Sequence, residues 1–170
     1  HFGASGSDKS RSVGVDNDEN IFMSGTLMGT VSFGGTAPAL SSVGGGDVFV
    51  AKFNSSGDGV WAKQMGSNAS VVEFGFELTI DNAGNLYVVG KFLNTITIGA
   101  TSLTSAGESD IFVAKYSTDT GNVIWAKRYG GLDVEEAISI AVHTTGDIYI
   151  CGGFFGTTTF GTTTLSSAGG

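Results

Sequence analysis

Three stretches of this chain align without a gap: VDNDENIFMSG (15–25), IDNAGNLYVVG (80–90) and VHTTGDIYICG (142–152). Their closing glycines, Gly25, Gly90 and Gly152, lie 65 and then 62 residues apart. The segments that follow recur in the same order: GTVSFG (29–34), NTITIG (94–99) and GTTTFG (156–161), then LSSVG (40–44), LTSAG (103–107) and LSSAG (165–169). Between them DVFVAKF (47–53) matches DIFVAKY (110–116), and VWAKQM (60–65) matches IWAKRY (124–129). A sequence with this internal period folds as one small unit repeated, each copy burying a face that it cannot bury alone.

The unit reads as strands throughout. VFVAKF and IFVAKY are short unbroken apolar runs, as in strands covered on both faces. They turn through NSSGDG or STDTGN into the strand that carries W-A-K. A further strand, FELTI or AISIAV with SVGV as its counterpart in the first copy, turns through DNAGN, HTTGD or DNDEN into LYVVG, IYICG or IFMSG. Gly84 and Gly146 sit where such a turn needs positive φ. The Thr-rich stretch before each L-x-S-x-G is compatible with an extra short hairpin or with a bent extension of the preceding strands. With 28 glycines, one proline and no helical periodicity, the fold class is all-β. Units of four antiparallel strands, about 63 residues per repeat, read as β-propeller blades in an open or partial propeller. The repeat register divides the chain into a partial blade (1–46), a complete repeat (47–109) and a second complete repeat (110–170), with the next hairpin missing. That register predicts a longer chain, or copies that complete one another, because a free fragment exposes unpaired strand edges.

The string D-[IV]-F-V-A-K-[FY], then W-A-K, then [VI]-D-N-x-G-N-x-Y-V-x-G resembles the bacterial β-propeller repeat called SBBP, over essentially the whole chain. The resemblance implies a secreted or cell-surface protein. Asp18-Glu19 departs from the x-Gly of the turn in the first copy, and His143 replaces the aspartate in the third.

The recurring positions Asp47/Asp110, Lys52/Lys115, Trp61/Trp125 and Lys63/Lys127 form a structural signature. The tryptophans suit packing between blades, and the lysine stems suit cover over apolar surface with the ammonium in water. Asp16, Asp18 and Asn20 resemble the start of a calcium loop but lack its glycine and distal glutamate. The aligned DNAGN and HTTGD offer fewer oxygens, so the shared feature is a turn and no cofactor is expected, calcium at this turn being the exception to test. Asp133, Glu135 and Glu136 read as a solvated loop, since the acidic residues near Glu73 and Glu77 are differently spaced. Cys151 aligns with Ser24 and Val89 and is expected to be buried. The Thr runs (Thr95, Thr97; Thr157–Thr159; Thr162–Thr164) resemble ice-binding ladders but suit any half-exposed strand. Asn54-Ser55-Ser56 and Asn68-Ala69-Ser70 are glycosylation sequons.

The net charge of −8 and the absence of a basic stripe speak against nucleic acid as a partner. No apolar run approaches the ~18–20 residues of a membrane span. There is no catalytic or cofactor-binding motif: no G-x-S-x-G elbow and, with His1 and His143 alone, no histidine cluster for zinc. The expected function is a non-enzymatic extracellular scaffold or adhesion module that meets protein or glycan surfaces, or neighbouring copies of itself. Two alternatives stand beside it: a self-assembling filament subunit, and a fragment of a quinone-dependent dehydrogenase. The latter rests on S-T-D-T-G-N-V-I-W, which resembles the A-x-D-x-x-T-G-x-x-x-W repeat of those enzymes.

Overall fold

The computed structural model describes residues 3, 6–68, 70, 71 and 73–168. The second sequon and the last L-x-S-x-G copy include residues 69 and 169, which lie outside that set, as do parts of the opening segment.

The described residues form strands and turns, with no helix among them. The first sheet orders β1 (Lys9–Val15), β2 (Ile21–Leu27), β5 (Asp47–Phe53) and β6 (Gly59–Gly66), every neighbouring pair antiparallel. The second repeats this with β7 (Phe74–Ile80), β8 (Asn85–Ile98), β9 (Thr101–Ser117) and β10 (Val123–Tyr129). A third begins with β11 (Glu135–Val142) and β12 (Ile148–Phe154). The first strands β1, β7 and β11 are neighbours across the sheets, as strands lining a propeller axis are. The fold is all-β and propeller-like.

The sheets are cut in a different phase from the sequence repeat. The hairpin beginning at Asp47 joins the strands before it, through Leu27↔Asp47 to Ile21↔Phe53. One sheet therefore runs from residue 9 to 66 and the next from 74 to 129, whereas the repeat register cut at 47 and 110. A period is the same wherever counting starts; strand pairing alone sets the origin.

The Thr-rich segment takes both of its possible forms. It is a separate hairpin in the first copy, β3 (Thr30–Val31) with β4 (Leu40–Ser41), and in the third, β13 (Thr157–Phe160) with β14 (Thr163–Ser166). In the second it continues β8 and β9 through a bulge at Leu93/Thr95, where Asn94 adopts φ 58°. The tip of that extension reaches back to the first sheet, pairing Ile98 with Met65 and Thr97 with Gly66.

Alternate residues of each central strand face opposite neighbours. Val48 and Val50 of β5 meet Phe112, Ala114 and Tyr116 of β9 in the core between the first two sheets, joined by Phe22, Trp61, Met65, Phe92, Ile96 and Ile98. Ile111 and Val113, on the other face of β9, pack with Tyr87, Val89, Ala137 and Ile140 toward the third sheet. Phe49, Ala51 and Phe53 point away from the second sheet and are covered by Val31 and Phe33 at the β3–β4 hairpin.

Candidate functional site

The turn that opens each unit is built by its first residue. The Asp81 carboxylate accepts from the Ala83 and Asn85 amides, the Asn85 side chain and the Tyr87 hydroxyl. Asp16 does the same for Asp18 and Asn20. Burial acts to raise both carboxyls, but these hydrogen bonds outweigh it and hold them below the usual range. In the third copy His143 Nδ1 takes the role through Thr145. The positive-φ position is held by Gly84 (φ 74°) and Gly146 (φ 90°), and in the first copy by Glu19 at φ 62°. The three sequence candidates for calcium thus meet in one turn, with both Asp16 oxygens engaged by the turn's own donors. Among the described residues no group of three or more His, Cys, Asp or Glu is placed to hold a metal.

The signature residues lie between sheets. Trp61 is buried, sits 6.0 Å from the Phe22 ring, and donates its indole N–H to the Thr118 carbonyl at 3.0 Å across the junction. Lys52 and Lys115 place their ammonium groups 5.5 and 5.0 Å from the equivalent rings of Phe22 and Tyr87. Lys52 is itself buried rather than reaching into water. Trp125 packs edge-on to Tyr87 with Lys127 over its ring, and stays only half covered. It lines an open cleft of about 640 Å³ with Ile148, Ile150 and Phe160. Asn54 caps its own hairpin turn through the Ser56 and Asp58 amides.

The sequence reading missed the clearest chemical feature, a carboxylate pair at each junction between sheets. Asp47 and Glu73 are fully buried, as are their counterparts Asp110 and Glu135. Glu135 therefore corrects its assignment to a solvated loop; of that cluster, Asp133 is exposed and Glu136 half-exposed. Asp47 Oδ2 accepts from the Val43 amide and the Gln64 side chain; Asp110 Oδ2 accepts from the Ala106 amide and the Arg128 guanidinium. Glu73 Oε1 accepts from the Ser67 hydroxyl and Glu135 Oε2 from the Gly131 amide. The other oxygen of Asp47, Glu73 and Asp110 is buried without a donor, while the Thr158 hydroxyl stands beside Glu135. Burial pushes Glu73 up to about 7, opposed by its Ser67 bond and reinforced by the charge of Asp47. Burial also raises Glu135, with Asp110 and Asp133 adding to it, and raises Asp47. Glu73 and Glu135 are 62 residues apart, the same interval as Gly90 and Gly152, which is the signal that identifies them as equivalents.

Cys151 is a second correction. It is exposed, whereas its equivalent Val89 is wholly buried by the next sheet. Val13 and Tyr149 likewise stand 64% and 60% exposed where their equivalents Leu78 and Tyr87 are 6% and 3% exposed.

No protein-family model matches the chain. It is similar to an uncharacterized WD repeat-containing protein of Acanthamoeba polyphaga mimivirus, with 27% identity over 157 residues. The match covers 84% of this chain and 11% of the relative. The likeness agrees with the propeller-type repeat seen in the sheets. The chain spans about a tenth of that relative's length.

Proposed function

We propose that this chain is part of a propeller scaffold that binds protein partners through its turn face, and that it works outside the cell without catalysing a reaction. The observation that carries the reading is the division of labour among residues. Of the side chains that recur, Trp61, Lys52 and the carboxylates are buried and engaged in packing, and Trp125 is half covered. The exposed positions of the turn row vary more: Asn17 and Asn82 give way to Thr144, and Asp18, Ala83 and Thr145 all differ. A shallow polar groove of about 300 Å³ runs between the first two turns, past Asp16, Asp81 and Asp119. Repeated packing with varied display is how solenoids and propellers offer a binding face. The likeness to a WD repeat-containing protein supports a scaffold, and the SBBP-type motif supports export. Photo-crosslinking residues placed at Asn17, Asn82 and Thr144 should capture one protein partner on native cells. Capture only from the opposite end of the sheets, or protection of the chain from protease added outside intact cells, would overturn the reading.

The exposed Val13, Val15 and Tyr149 favour a second reading, a self-assembling subunit, because each occupies a position that the neighbouring sheet covers elsewhere. Sedimentation velocity over a concentration series tests it. Concentration-dependent growth that Tyr149→Lys abolishes supports assembly; a single species throughout rejects it.

A further inference from the structure

The junction between the first two sheets buries two acidic side chains, and among the described residues no lysine, arginine or histidine pairs with either. Asp47 begins β5 and Glu73 lies directly before β7, so the pair connects one sheet to the crossover into the next. Their surroundings are Gln64 of β6, Ser67 of the crossover, and the Val43 amide. On the β2 side, the Thr26 hydroxyl donates to the Glu73 main-chain carbonyl rather than to its side chain. Glu77, the next acid along β7, is turned to the third sheet, where it accepts from the Ile140 amide at 2.7 Å. Asp47 is the charged group that acts on Glu73.

Each carboxylate thus keeps one oxygen hydrogen-bonded and one buried without a donor: Asp47 Oδ1 and Glu73 Oε2. Two uncompensated charges in such a place are strongly unfavourable, and neighbouring carboxylates resolve this by retaining a proton. The Glu73 amide donates to the carbonyl of Gly46, the residue before Asp47, at 2.9 Å, and we propose that the two acids held together in this way share one proton that clasps the first sheet to the second. One proton lets one carboxyl donate to the other and removes one charge. A calcium ion suits the place poorly, because it takes six to eight oxygens and the pair offers two that are closed to solvent.

The clasp makes the junction pH-sensitive. The folded state keeps its proton up to about 7, while an ordinary glutamate loses it near 4.5. Between those values the folded state binds more protons than the unfolded state, so stability falls as pH rises through this window and levels off above it. Glu73→Gln, which keeps a donor in place without titrating, tests this. The Tm of the unmodified chain should fall from pH 5 to pH 8 by about 5–10 °C more than that of the variant. A side chain that matters only for packing would shift Tm equally at every pH, and parallel curves would overturn the clasp. Asp47→Asn supplies the same comparison should Glu73→Gln fail to fold. Infrared difference spectra of the unmodified chain at pH 6 and pH 9 should show a protonated carboxyl band lost at the higher pH. Absence of that band overturns the proposal, as does a calcium-induced rise in Tm that Glu73→Gln abolishes.

Discussion

The two junctions between sheets are built on the same plan and solve the same electrostatic problem differently. At the second, Arg128 sets a guanidinium against the buried Asp110; at the first, the equivalent Gln64 brings no charge to Asp47. The rest of the frame is shared: an aspartate capped by an amide four residues upstream, and a glutamate at the head of the following sheet. One position in the W-A-K strand therefore decides whether the buried aspartate of a junction meets a cation or a neutral donor. A repeat can conserve its geometry while letting its charge balance diverge.

The largest effect that separates the junctions should come from their tryptophans. Trp61→Ala removes a buried indole and its bond to Thr118, and is expected to cost about 3–5 kcal/mol. Trp125→Ala at the half-covered position should cost about 1–2 kcal/mol. Urea denaturation of both variants measures the gap, and equal losses would mean that the junctions carry similar loads. Next, Arg128→Gln gives the second junction the first one's chemistry. It should cost about 1–3 kcal/mol by exchanging the charge-assisted hydrogen bond to Asp110 for one from a neutral amide. The reverse change, Gln64→Arg, should flatten the fall in Tm between pH 5 and pH 8. A smaller effect concerns the turns. Glu19 holds a left-handed conformation that glycine holds in the other two copies, so Glu19→Gly should gain about 0.5–1 kcal/mol, whereas Gly84→Ala should destabilise. The smallest is Asn94→Gly, where asparagine already tolerates φ 58°; calorimetry should find Tm nearly unchanged.

The strands and turns were readable because their causes are local. Asp81 and Gly84 shape a turn from within five residues, and alternating apolar positions in VFVAKF follow from being covered on both faces. The phase of the sheets was not readable, since whether the hairpin at Asp47 pairs backward or forward depends on contacts between distant segments. The carboxylate pairs were concealed by unequal crossovers. Ser67 and Glu73 are six residues apart but Gly131 and Glu135 only four, so Glu135 looked like part of a loop cluster instead of the partner of Asp110. Cys151 was misplaced because burial belongs to the neighbouring sheet and not to the strand. The same strand position is closed in Val89 and open in Cys151.

The pairing of Ile98 and Thr97 with Met65 and Gly66 has a consequence for how the chain is made. The outer strand of the first sheet finishes its ladder only when a segment some thirty residues further on has arrived. During synthesis the first sheet would wait partly undone for the second, like a tile held down by the one laid over it, whereas the outer strand of the second sheet receives no such partner from the separate β13–β14 hairpin.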